Sequence, residues 1–458
     1  MKIISLLRYI PSKVSKRLNL KARNKIEREQ LAATRLQLKQ AREQAKTTRG
    51  QLELAREQAQ FTRDQLDEAR GQSWENKERL NELRENVKKA APFVNILKSL
   101  NSISDNAGAF QSDVFLAVTA EAVPYAFAAA KDSSVPVICD CTEIPSLDVR
   151  TLKPDWSEPN MRMMNNALYG YLYDVSSFLS VGWELSKYLV RYDKSVKVIP
   201  NFRYNEEHVY SDVLRKRLNI QDETKIIMAM STIASDFDVI LNALSLIENA
   251  HLVILGKLVP LQYKEEMLQL AENLGLSDRF HTVEQVDYSE LTPTLSSADV
   301  GIIVRDPSIL NNHVSLPNRI FDYMFAGVPV VTPNIPDISK IVLGEKMGGV
   351  VYERTPQAWA QSIQEVLEQQ VEMRINALEA AKKMTWETQE DDIYESLGEP
   401  RSITLFGQKN LLKHNRSMRI VQTLLDRDVD VKIAVYDNFV QKFKDENGEA
   451  HQFKLIGF

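Results

Sequence analysis

The chain has little of what staples, metallates or anchors a protein. Its 458 residues include two cysteines, Cys139 and Cys141. At i and i+2 on a strand these point to one face, as two small core residues. A second Cys or His pair at ligand spacing is missing, so no metal is expected, and nothing asks for an oxidising compartment. No apolar run approaches the ~18 residues of a membrane span. The opening residues do not read as a secretory signal: Pro11 interrupts a short apolar stretch, and no small-residue cleavage site follows. These absences predict a cytoplasmic protein. A formal net charge of −5 gives no case for a nucleic-acid partner.

What is present is strongly patterned. Residues 1–24 carry Lys2, Arg8, Lys13, Lys16, Arg17, Lys21 and Arg23 and no acid, with Ile3, Ile4, Leu7, Ile10, Val14 and Leu18 at helical spacing. Such a basic amphipathic segment suits peripheral contact with an anionic membrane face, or is a solvated lead-in to the next helix. Over 25–90 the period becomes seven. Leu31, Leu38, Ala45, Leu52, Ala59, Leu66, Ser73 and Leu80 share one heptad position, and Thr34, Ala41, Thr48, Ala55, Thr62, Ala69 and Leu83 lie three residues later. A sustained apolar seam without proline predicts a coiled coil and self-association through it.

After Pro92 strand-like apolar runs alternate with helical segments, the pattern of parallel α/β sheets. In the first half, 113–118 and 135–139 read as strands, 121–131 and 161–179 as helices, and 197–199 as a short strand. In the second half, strands are expected at 226–230, 251–255, 280–283, 300–304 and 328–332. Helices are expected at 236–247, 258–274, 288–297, 316–325 and 355–369.

The run Ser315-Leu-Pro-Asn-Arg-Ile-Phe-Asp-Tyr-Met-Phe-Ala-Gly-Val-Pro-Val-Val331 resembles the donor-site segment of glycosyltransferase family four. Leu295-Ser-Ser-Ala-Asp-Val-Gly301, Leu252-Val-Ile-Leu-Gly-Lys257, Val198-Ile-Pro-Asn201 and Met384-Thr-Trp-Glu387 resemble further family segments, in family order. The resemblance spans about 110–397. It implies two Rossmann-like domains (the GT-B fold, α/β), here preceded by the long coiled coil. The implied layout is a first, acceptor domain over 91–205, a donor nucleotide-sugar domain over 206–385 and a closing helix over 386–400.

It also implies an activity: transfer of sugar from a nucleotide sugar to a glycan or glycolipid acceptor, with retention at the anomeric carbon and no cofactor. Surface polysaccharide or glycolipid assembly is the implied setting. By this resemblance Asp322 accepts bonds from the donor ribose. Asn318 and Arg319 lie in the first turn of the donor-site helix, and Gly256 and Lys257 meet the diphosphate, whose developing negative charge needs cationic partners. Glu143 matches a family glutamate and is the candidate catalytic residue. Three departures stand out. Val314 replaces an acid, 231–236 carries neither Arg nor Lys, and Leu116 and Val118 occupy a His-x-His position. They keep open a second reading, an inactive coiled-coil scaffold with a transferase-like fold.

The family's opening strand, glycine loop, helix and second strand are missing before 91. A similar pattern stands at the end: strand 402–406, a loop from Gly407, helix 417–426, strand 431–436 and a short strand at 453–458. Either 401–458 completes the first domain as a circular permutation, or it begins a second, cut-short unit. A lone strand–helix–strand piece cannot cover both faces of its own sheet, which favours permutation. Lys409, in the glycine loop, would then approach the donor phosphates.

Overall fold

The computed structural model describes residues 110–131, 134–145, 170–233, 235–407, 414–435 and 454–457, besides Leu100, 103–105 and Leu411. The basic start, the heptad region and Lys409 lie outside the described residues. The chain forms two compact units. Of the described residues, one unit takes those up to Leu179, Val190–Val196 and those from Leu397 onward, and the other takes Ser180–Leu189 and those within Lys197–Ser396.

The first unit starts its sheet with β1 (Val114–Val118), followed by helix α1 (Val123–Ala130) and β2 (Val137–Cys141). Then come β3 (Ser177–Ser180) and β4 (Ser195–Val198), while helix α2 (Trp183–Leu189), between them in sequence, belongs to the second unit. Every residue of β1 and β2 is buried, as expected for parallel strands covered on both faces. Both cysteines lie in β2, buried, with Sγ atoms 3.4 Å apart. One expectation fails here: 177–179 continues no helix. Phe178 and Leu179 are buried in β3. Their spacing from Leu172 and Val175 suits a helical face, but two adjacent apolar residues in a short segment also fit a buried strand, and period alone cannot separate the two.

The second unit holds β5 (Lys225–Ile233), α3 (Phe237–Ser245), β6 (Ala250–Leu258), α4 (Leu261–Asn273), β7 (Phe280–Val283), α5 (Tyr288–Ser296) and β8 (Val300–Ile302). It continues through α6 (Arg319–Phe325), β9 (Val330–Pro333), α7 (Pro336–Gly344), β10 (Gly348–Val351), α8 (Pro356–Glu368) and α9 (Gln370–Lys383). Its six strands run in the order β10-β9-β8-β5-β6-β7. Period-two alternation splits each central strand between two cores. Ile226, Met228, Val253 and Leu255 pack with α6, α7 and α9, through Phe321, Ile338 and Ala377 among others. Ile227, Ala229, Leu252 and Ile254 pack with α3, α4 and α8, through Phe237, Met267 and Trp359.

The tail returns to the first unit as β11 (Ser402–Gly407), α10 (Asn415–Leu425), β12 (Asp430–Val435) and β13 (Lys454–Gly457). The seven strands there run β13-β12-β11-β1-β2-β3-β4. Pairing of β11 with β1 is parallel, with Val114 opposite Ile403 and Leu116 opposite Leu405. Phe406 meets Phe110 and Phe115 at ring-centre distances of 5.4 and 5.3 Å.

Both sheets are doubly wound. In each, the strand order reverses once, between β5 and β8 in the second unit and between β11 and β1 in the first. In open α/β sheets ligands bind outside the carboxyl ends of the strands at such a reversal.

Candidate functional site

In the second unit the strongest sequence segment becomes α6 and its flanks. The helix starts at Arg319, three residues later than expected, because Leu310–His313 forms a separate short turn of helix and Asn318 occupies the cap. Gly327, at φ +61°, ends it in the left-handed region, and a Cβ there would press on His208 and Leu378. Tyr323 accounts for another part of the segment. Its hydroxyl donates to the Met228 carbonyl at 2.9 Å and accepts from the Met230 N–H at 3.0 Å. Its ring lies where a Cβ on Gly301 would fall, at 2.6 Å, so the glycine of Ala298-Asp-Val-Gly301 is a packing requirement. Asp299 of the same segment binds Arg215 at 2.5 Å and the Ile226 N–H at 2.8 Å. Much of what is most recognisable here therefore holds the sheet together.

The polar residues divide differently. Asn318 is exposed, and its side-chain oxygen accepts from Asn201 at 2.6 Å, so the structure joins two segments singled out separately. Arg319 is half-buried. Desolvation lowers its pKa, against the opposing pull of Tyr323 and Asp322. Asp322 is buried in the first turn of α6, and its Oδ1 accepts from Arg203 at 3.3 Å.

Arg203 is the residue sequence reasoning missed. It is almost fully buried, donates to Glu206 at 2.8 Å and to Thr292 at 3.0 Å, and lies over the rings of Tyr288 and Phe325 at 5.0 and 5.4 Å. Burial works against its charge, but Asp322, Tyr288 and Glu206 outweigh it and raise the pKa. The only signal in the sequence is one arginine just past Val198-Ile-Pro-Asn201.

Gly256 and Lys257 do not form a loop. β6 runs on to Leu258, with Gly256 opposite Ser231 and Lys257 opposite Thr232. Gly256 has φ +141° and Lys257 is exposed. Pairing with the long β5 carries the strand past the expected stop at Leu255. At the same carboxyl edge, Arg354, just after β10, binds Asp236, just after β5, and Asp306, after β8, the latter at 2.8 Å. Asp306 is held below the usual carboxylate range first by the Ser308 hydroxyl and N–H, with Arg354 adding less. A guanidinium from β10 thus reaches the stretch the sequence shows to be without a base. Glu143 belongs to the first unit, exposed just beyond β2. Among the described residues, no group of three His, Cys, Asp or Glu is placed to hold a metal ion, and no helix is long and apolar enough to cross a membrane.

Residues 224–369, most of the second unit, match the family model described as glycosyl transferases group 1. Among curated protein sequences nothing matches. Solved structures share the fold at low identity. HepE of Anabaena in complex with UDP superposes with a TM-score of 0.53 at 16% identity, covering 66% of this chain and 82% of that one. Sucrose-phosphate synthase from Thermosynechococcus elongatus gives 0.51 at 16%, covering 63% and 74%. A glycosyltransferase from Rickettsia africae gives 0.51 at 14%, covering 67% and 82%. The chain therefore carries a glycosyl transferases group 1 domain within a two-domain α/β fold of the GT-B class.

Proposed function

We propose that this chain is a glycosyltransferase that moves a sugar, with retention, from a nucleotide-sugar donor to a glycan or glycolipid acceptor. The observation that carries the reading is the match over 224–369, folded as a doubly wound unit with Lys257 exposed at the carboxyl edge of its sheet. There the Gly256 backbone and the Lys257 ammonium would meet the donor diphosphate and stabilise the charge of the leaving group. Asn318, Arg319 and Asp322 would hold the nucleoside, with Asp322 accepting ribose hydroxyls. Glu143 would face the acceptor in the first unit, and Lys409 would add a cation on the donor side.

We also infer that 401–458 is the opening of the first domain moved to the far end of the chain. With β11, β12 and β13 counted first, the sheet reads 3-2-1-4-5-6-7, the order of a Rossmann-like half. The heptads of 25–90 are read as the self-association element, and 1–24 as a peripheral contact with the inner membrane face. Light scattering of a chain lacking 1–90 tests the former, with a smaller number of protomers per particle expected.

HepE is seen with UDP and with UDP-glucose, which makes the uridine donors the first to try. The deciding experiment is a hydrolysis and calorimetry screen against UDP-, GDP- and CDP-sugars. Binding with slow turnover of one donor is expected. UDP binding without any turnover, at any acceptor, turns the reading toward the inactive scaffold that the base-free 231–236 stretch favours.

A further inference from the structure

Three consecutive residues shortly after β4 run along α6. Asn201 Nδ2 donates to Asn318 Oδ1 at 2.6 Å, the Phe202 ring meets Phe321 edge-on with centres 5.0 Å apart, and Arg203 Nη1 donates to Asp322 Oδ1 at 3.3 Å. The sequence makes this register possible. Pro200 biases the residue before it toward extended backbone, and Arg203 still pairs as a strand residue, with Thr385. In extended chain, residues i and i+2 share a face about 6.6 Å apart. On a helix, residues i and i+4 share a face about 6 Å apart. Asn201 and Arg203 therefore match Asn318 and Asp322 one to one. All of these residues belong to the second unit.

The segment has anchors of its own. The Arg203 carbonyl accepts from the Trp386 N–H at 2.7 Å, and Gln389 donates to the Pro200 carbonyl at 2.8 Å. The guanidinium is held by Glu206 at 2.8 Å and Thr292 at 3.0 Å, so its bond to Asp322 is the longest of the three, and Glu206 already stands against its charge. Nor does Asn318 need its contact for burial. It is exposed, where water would complete its amide, whereas Asn201 is 7% exposed. Rigid, buried donors thus reach two side chains at the start of the helix and fix where they point. Each contact takes one oxygen. The Asn318 amide hydrogens and further lone pairs of the Asp322 carboxylate lie outside it, so the contacts orient both side chains without using them up.

We propose that Asn201 and Arg203 are positioning residues for the donor nucleoside, acting through Asn318 and Asp322. The inference rests on the donor role proposed for those two residues. A side chain oriented beforehand loses little rotamer freedom when its ligand arrives, and the saving appears as affinity.

The test is a pair of double-mutant cycles on the full chain, read by calorimetry with UDP, GDP and CDP. Wild type should bind at least one of the three. Arg203→Met should weaken that binding about tenfold and Asn201→Ala about threefold. In the Asp322→Ala and Asn318→Ala backgrounds, respectively, the same changes should shift affinity less than about twofold, because the side chain they orient is gone. Residues that only hold the fold would weaken binding as much in either background. Arg203→Lys keeps a cation beside Asp322, is gentler on folding and carries the same cycle, with a loss between those of wild type and Arg203→Met. Additive losses in both cycles, or folded variants that bind as wild type does, overturn the inference and leave the donor reading standing. A wild type that binds none of the three nucleotides removes the donor reading itself, and the positioning role with it.

Discussion

Arg416 and Asp140 lie 276 residues apart in sequence and form a three-bond, fully buried ion pair. It ties the first turn of α10 to β2, and so the chain's tail to the sheet begun at β1. Removing one partner strands the other charge in the core, which typically costs about 3–5 kcal/mol. Arg416→Met should therefore lower the denaturation midpoint sharply. Arg416→Met with Asp140→Leu should recover much of the loss, since an apolar pair of similar volume leaves no buried charge. A double variant no more stable than the single one would show that the pair does more than satisfy its own charges.

Loss of the tail is a larger insult of the same kind. Deleting 401–458 removes β11, β12 and β13, and with them every partner of β1 on that side. Ile403, Leu405 and Phe406 are buried at the middle of a parallel sheet, so the truncation exposes apolar faces and an unpaired strand edge. Expression of 1–400 should give aggregated protein, or a broad unfolding transition for the first unit. A soluble truncation with the same sharp transition would mean that the tail is an appendage and would end the permutation reading.

How much of this the residues disclose depends on range. β7 was legible to the residue, because Phe280–Val283 is a short apolar-ended run between turn signals. The tail's strands were legible within one residue for the same reason. β10 was not read: Gly348–Val351 opens with two glycines, and only its seat beside β9 makes it a strand. The candidate site was legible as segments and illegible as contacts. Asp322, Asn318 and Lys257 stand out in sequence, but Arg203 meets Asp322 across 119 residues, and Arg354 meets Asp236 across 118.

A histidine pair on neighbouring strands of the second unit sets a pH dependence. His251 Nδ1 and His281 Nε2 lie 2.9 Å apart in one hydrogen bond, which needs at least one neutral ring. Burial lowers both pKa values below 6.5, and His281 and Arg279 lower His251 further. The unfolded chain then takes up protons before the folded one. Stability is whole above about pH 6.5 and declines as pH falls through the lowered folded values. The thermal midpoint of the wild type should fall between roughly pH 7 and 5 more steeply than that of His281→Gln, where one titrating ring is gone. Parallel slopes for the two proteins would rule the pair out as a source.

Asp322 offers the sharpest separation of site from scaffold. Its carboxylate compensates the buried Arg203 and, in the proposed function, also accepts donor hydroxyls. Glu206 compensates the same guanidinium from another side at 2.8 Å and has no proposed ligand role. The two carboxylates therefore form a matched comparison. Glu206→Gln should lower stability modestly and leave UDP affinity unchanged. Asp322→Asn should lower stability too, since Arg203 has almost no exposure to water in which to recover the lost charge. Only Asp322→Asn should weaken UDP binding, by about 1–3 kcal/mol, the range for losing a charged hydrogen-bond acceptor. Calorimetry on both variants, below their unfolding midpoints, reads the difference directly. If Asp322→Asn melts earlier but binds UDP as tightly as wild type, Asp322 belongs with Tyr323 and Gly327 among the residues that build the helix, and the ribose must be held by Asn318 or Arg319.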